Sequence, residues 1–161
     1  MPDQAIYSID TNVLMDWQAR HYPTDLFPGL VAKIEAIIQA GRWLAPELVD
    51  EETGIVGTDE LRAWTKAHKG MFLPMATTLA DGMAIQARFP GLRDPKAEHE
   101  EADAFVIALA QQRGGIVVTQ ETSAAEKNKP KRTHFIPDVC RDLGLPCINL
   151  QGLMRREGWK F

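Results

Sequence analysis

The residues of this 161-residue chain best suited to chemistry are carboxylates attached to apolar segments. An ionised carboxylate is costly to bury unless it is paired, hydrogen-bonded or bound to a metal. Asp10 ends the run Ile6-Tyr7-Ser8-Ile9 and precedes Thr11-Asn12-Val13-Leu14. Taken alone, it suits the N-cap of a short helix. Asp103 stands in Glu101-Ala102-Asp103-Ala104-Phe105-Val106-Ile107-Ala108-Leu109-Ala110, on one helical face with Val106, Ile107 and Ala110. An acid in a first turn also complements the helix dipole. Glu51 and Glu52 lie between Leu48-Val49 and Ile55-Val56, and periodicity does not choose between them. Glu121 leaves the run Val117-Val118-Thr119-Gln120, and Asp138 suits the first turn of a helix.

Each acid has an ordinary explanation, but their joint placement at the ends of separate elements is more specific. Like charges brought close resist joint ionisation unless a cation intervenes. Oxygen-only ligands select a hard cation, Mg²⁺ or Mn²⁺. Such an ion activates water and stabilises a phosphodiester transition state. Other site chemistries fit less well. His21, His68, His99 and His134 form no HExxH pair, and Cys140 and Cys147 are too few and too widely spaced for zinc. Those two cysteines are expected as reduced thiols. An aspartyl phosphotransferase needs a second carboxylate two positions after its nucleophile, where this chain has Asn12. A calcium loop of the EF-hand type fails at Leu14.

The elements that must position these acids alternate short apolar runs with helical stretches. Ala5–Ile9 reads as a strand and Asn12–Gln18 as a short helix, followed by a loop at His21–Pro28. Leu30, Val31, Ile34, Ile37 and Ile38 form the buried stripe of a helix that Gly41 caps. Arg42–Ala45 is a short apolar run, and Pro46 suits the first turn of the helix carrying Leu48 to Val56. Asp59–His68 reads as helix and Met71–Leu73 as strand. Thr78 and Asp81 have the spacing of a capping box for a helix over Leu79–Phe89. Glu98–Arg113 reads as a strong helix ended by Gly114-Gly115. Ile116–Thr119 is strand, Pro137–Leu143 helix, Cys147–Leu150 strand and Gln151–Glu157 helix. Strands separated by helices predict one α/β domain over residues 1–161, with a mainly parallel sheet in a three-layer α/β/α arrangement. Ligands of such sheets bind at the carboxyl ends of the strands, where Asp10 falls.

Charge and composition limit the partners. Hydrophobic residues make up 45% and charged ones 25%, as in soluble globular domains. A net charge of −4 argues against a passive cationic coat on nucleic acid, yet not against an enzyme with a local basic strip. That strip is the KNKPKR run, with Lys127, Lys129, Lys131 and Arg132 as candidate phosphate contacts. The opening residues have no apolar core of a secretory signal, and no stretch reaches the roughly 18 apolar residues of a membrane helix. A cytoplasmic protein without membrane partners is expected.

The opening YSIDTNVLMDW resembles the first strand and turn of the PIN-domain ribonucleases, which include the VapC-type toxins of prokaryotic toxin–antitoxin modules. EADAFVIALA is similar to that family's helix with its third acid, IVVTQE to its strand and acidic turn, and WLAPELVDEE to the segment with its second acid. With HYPTDLFPGL and IPDVCRDLGLPCINLQGLMRREGWKF the likeness spans nearly the whole chain and is nearest to a prokaryotic PIN subfamily. The resemblance implies a Mg²⁺- or Mn²⁺-dependent endoribonuclease. In it Asp10, Glu52, Asp103 and Glu121 hold the metal and are the catalytic residues. Glu52 is favoured over Glu51 because Val49 stands three positions before it. Thr11, Asn12 and Thr119 stand beside the acids as candidate substrate contacts, with Thr119 orienting its turn. RNA substrate, a homodimer and a cognate antitoxin are the partners it implies. Three departures stand out. The segment after Glu121 and the loop His21–Pro28 are long, and Glu121 replaces the Asp of many members. A binding module that has lost turnover, or a nuclease directed at DNA, are the alternatives.

Overall fold

The computed structural model describes residues 4–98 and 100–161; Met1–Asp3 and His99, one of the four histidines, lie outside the described residues. Tyr7–Ile9 forms β1, and all three residues are fully buried, as a strand covered on both faces requires. Four more strands complete a five-stranded, all-parallel sheet: β2 (Trp43–Pro46) and β4 (Ile116–Val118) pair with β1, β3 (Phe72–Leu73) pairs with β2, and β5 (Cys147–Ile148) pairs with β4. Their order is β3-β2-β1-β4-β5. Helices flank the sheet, consistent with the expected three-layer α/β/α fold: α1 (Thr11–Met15), α2 (Pro28–Gln39), α3 (Glu47–Val56), α4 (Asp59–Ala67), α5 (Met75–Arg88), α6 (Asp103–Arg113), α7 (Ile136–Leu143) and α8 (Leu150–Glu157). Among the described residues no helix is long and apolar enough to cross a membrane.

The chain builds outward from β1 to β2 and β3, then returns to lay β4 on the other side of β1. The direction of winding therefore reverses between β1 and β4. A crevice opens at the carboxyl ends of two strands whose connections leave in opposite directions. Ile9 pairs with Val118, so the residues just beyond each, Asp10 and Thr119, meet across this crevice.

Helix α6 is the central helix of the core. Ala104 to Ala110 are all buried, and the hydroxyl of Ser8 in β1 donates to the carbonyl of Val106 at 2.6 Å. Helix α5 lies close against α6 because residue 82 is glycine; a Cβ there would stand 2.2 Å from the Phe105 ring. Gly114 (φ 59°) caps α6, and a Cβ at Gly115 would come within 2.7 Å of the Ile6 carbonyl oxygen. The chain thus passes from α6 into β4 in two residues, with little slack between Asp103 and Thr119.

Several boundaries differ from the sequence reading. The helix expected over 12–18 ends as α1 at Met15 and continues as a π-helical turn, Asp16–His21, whose wider winding seats Trp17 edge-on against Trp64 at 4.7 Å. Helix α5 begins at Met75 after the extended Pro74, so Thr78 is a buried residue inside the helix and not its cap. Pro46 is likewise the last residue of β2 and precedes α3, where a place in the helix was expected. Helix α6 begins only at Asp103, because the residues before it tie loops together. The Glu101 carboxylate accepts the Asp94 N–H at 2.8 Å, and the Ala102 N–H reaches Glu52 at 3.3 Å. Leu150 opens α8 and does not end β5, since Asn149 caps that helix by accepting the Gly152 N–H at 2.8 Å.

Candidate active site

Asp10 leaves β1 buried at 4% exposure and caps α1: its Oδ1 accepts the Thr11 N–H at 2.8 Å. Its Oδ2 accepts the hydroxyl of Thr119, at the end of β4, also at 2.8 Å. That hydroxyl in turn accepts the Glu121 N–H at 3.1 Å. One buried threonine therefore sets the first acid against the last. Asp103, in the first turn of α6, completes the group. Asp10, Asp103 and Glu121 each offer a carboxylate oxygen, and these atoms lie within 4.8 Å of one another. Three oxygens at that separation suit one small hard cation.

The acids share an open cleft of about 410 Å³, lined also by Thr11, Asn12, Met15, Arg20, Glu52, Val56, Glu101 and Arg132. Burial pushes Asp10 up to about 7, with the charges of Glu121 and then Glu52 adding to it and the Thr119 hydroxyl opposing. Asp103 is raised well above the carboxylate range by burial and by Asp10 and Glu121, while Arg132 opposes. Glu121 is raised by burial against hydrogen bonds from the Ile136 N–H and Arg132. Three acids that cannot comfortably ionise together would be relieved by a positive charge placed among them.

The remaining candidates divide. Between the two glutamates, Glu52 turns toward the cleft and Glu51 is exposed outside it. Glu52 is nevertheless not in the set of carboxylates that converge within 4.8 Å. It is held on the cleft wall, accepting the Thr11 hydroxyl and the Ala102 N–H. Thr11 and Asn12 both line the cleft, but Asn12 uses its Oδ1 to accept the Gln120 N–H at 3.0 Å and so ties α1 to the β4 turn. Thr119 is 2% exposed, and its hydroxyl is engaged by Asp10 and by the Glu121 N–H, so it links the two acids.

The basic run also divides. Arg132 does not stand at the rim. Its guanidinium turns inward onto Asp103 and Glu121, because the acids offer it more than solvent does. Lys127 donates to Thr122 at 2.9 Å and sits over the Phe135 ring at 4.4 Å. Lys129 and Lys131 are exposed and do not line the cleft. Asp138 is structural, accepting the N–H groups of Ala124 and Phe135, each at 2.9 Å. Both cysteines are free thiols.

Sequence reasoning missed Arg20 and Glu101 as cleft residues. Arg20 lies on the π-helical turn and pairs with Asp16 at 2.5 Å. The i, i+4 spacing of Asp16 and Arg20 is that of a helical ion pair, but it carries no sign that the widened turn brings Arg20 to the cleft. Glu101 would have required knowing that α6 starts two residues later.

A family model described as a domain of unknown function, DUF4411, matches residues 7–161. No curated protein matches the chain.

Proposed function

We propose that this chain, which belongs to the DUF4411 family, is a divalent-metal-dependent nuclease that hydrolyses RNA phosphodiesters internally. The observation that carries the reading is the convergence of Asp10, Asp103 and Glu121 at the winding reversal between β1 and β4. Their all-oxygen donor set fits Mg²⁺ or Mn²⁺, with Asp10, Asp103 and Glu121 holding the ion and Glu52 adding its charge from the wall. When bound, such an ion supplies an activated water and stabilises charge on the phosphodiester.

The chain's own residues do the rest. Thr119 keeps an Asp10 oxygen oriented and holds the Glu121 turn, so two of the acids move as one. Thr11 anchors Glu52, and Asn12 locks the Gln120 backbone. Arg20, half-exposed at the cleft, is a cation within reach of a phosphate chain lying along it. Lys129 and Lys131 extend the positive field outside the cleft and attract the strand without reading its sequence.

The resemblance to PIN ribonucleases carries the wider proposal of a cytoplasmic toxin, paired through its helical faces and held by a cognate antitoxin. Exposed Leu79 and Met83 on α5 are suited to such pairing. A catalytically weak binding module is the second reading, favoured by one observation: the Glu121 carboxylate already has partners in Arg132 and the Ile136 N–H.

The test is cleavage of labelled single-stranded RNA and DNA oligomers with and without Mn²⁺, beside a metal titration. Mn²⁺-dependent cutting of RNA in preference to DNA is the expected result. Binding of Mn²⁺ without cutting of either strand selects the module.

A further inference from the structure

Arg132 is the one cation bonded directly to the acid cluster among the described residues. Nη1 lies 3.1 Å from Asp103 Oδ2, and Nη2 lies 3.3 Å from Glu121 Oε2. Glu101 Oε2 stands 3.9 Å from Nη1. The side chain is only 14% exposed. Nη1 also donates to the Leu92 carbonyl at 2.8 Å, and the guanidinium rests over the Phe135 ring at 4.5 Å. The backbone around it is equally fitted. A Cβ at Gly91 would stand 1.8 Å from the Thr133 hydroxyl, and the His134 N–H points to the Gly91 carbonyl at 3.4 Å. A guanidinium gripped by two acids, a carbonyl and an aromatic face is a built part of the site.

We propose that Arg132 is a tethered counter-ion of the acid cluster, which holds Asp103 and Glu121 together and sets how tightly the cluster takes a divalent cation. This rests on the metal reading above. Arg132 is thus a positioning residue: it acts through the two acids it bridges. Its planar fork spans both carboxylates at once, which a lysine ammonium does not do. A positive charge already placed on two of the three acids repels a second one brought among them. The same charge relieves their mutual repulsion when no ion is bound. The cluster therefore stays assembled without metal, at a cost in metal affinity.

The experiment is calorimetric titration of the full chain with Mn²⁺ at neutral pH and fixed ionic strength. Arg132→Gln is expected to bind Mn²⁺ about tenfold or more tightly than the parent, since the opposing charge is gone. Arg113→Gln removes an equal charge from the exposed last turn of α6 and is expected to leave the affinity within about twofold, because solvent screens it. Should Arg132→Gln fail to fold, Arg132→Lys, which keeps the charge but not the fork, is expected to gain roughly two- to fivefold. Equal or weaker Mn²⁺ binding by the Arg132 variant overturns the proposal and leaves the metal reading standing. An equal gain in Arg113→Gln overturns it as well, since net charge would then be the cause. If the parent and the variants bind no Mn²⁺, both the proposal and the metal reading fail.

Discussion

The two ends of β1 carry two buried clusters of charge that behave in opposite ways. At the amino end, the Tyr7 hydroxyl donates to Glu157 at 2.5 Å, and Arg42 pairs with the same carboxylate. At the carboxyl end, Asp10 faces Asp103 and Glu121, with Glu52 and Glu101 nearby and Arg132 bonded to two of them. Burial opposes ionisation of Glu157, yet the bonds from Arg42 and Tyr7 hold its carboxyl below the ordinary range. Burial acts the same way on Asp10, but there neighbouring acids reinforce it and the carboxyl rises to about 7. Matched partners make a fastening; an excess of one sign makes a cluster that an added cation would relieve.

The largest effect expected from this contrast is on catalysis. Asp10→Asn and Asp103→Asn should each lower Mn²⁺-dependent RNA cleavage by at least about 10²-fold while circular dichroism shows the fold intact. Full activity in either purified variant would refute the assignment. At the other end of the strand, Glu157→Gln should leave cleavage unchanged and cost roughly 1–3 kcal/mol of stability by denaturant melt, because it removes a hydrogen-bonded charge.

Next in size is the response to pH. The folded-state pKa of Asp10 is raised, so its contribution to stability is complete below its unfolded value of about 4 and is lost as pH rises through about 7. The metal-free protein should therefore melt at a lower temperature at about pH 8 than at about pH 6, all else being equal. Saturating Mn²⁺ should flatten that slope, and Asp10→Asn should reduce it. A melting temperature independent of pH over this window in the metal-free parent would contradict the expected ionisation of the cluster.

The smallest effect belongs to the exposed lysines. Changing Lys129 and Lys131 together to Gln should weaken RNA binding uniformly across sequences. It should reduce the slope of log affinity against log salt by roughly 0.7 for each phosphate that is no longer neutralised. An unchanged slope would remove both lysines from the substrate path.

The acids were legible in the sequence because each interrupts an apolar pattern: Asp10 closes a buried strand, and Asp103 opens a helix with no polar face from Ala104 to Ala110. Parallel order followed from the alternation of elements, since strands joined through helices run in one direction. The direction of Arg132 was not legible. A run of four positive charges in six residues reads as a solvated strip. Only the fold reveals that one of the four lies against two buried carboxylates and a phenyl ring. The role of Thr119 was hidden for a related reason, because its partners Asp10 and Glu121 are defined by strand register. Periodicity also could not choose between Glu51 and Glu52, since both fall on half-apolar faces of α3.

The bond from the Ser8 hydroxyl to the Val106 carbonyl has a consequence for how such a protein tolerates change. It links the strand that ends in Asp10 to the helix that begins at Asp103, at a depth where neither partner meets water. The spacing of two acids at the mouth of the cleft is thereby inherited from a gauge block inside the globule. Drift on the outer surface leaves that dimension alone, whereas losing one interior oxygen atom would reset it.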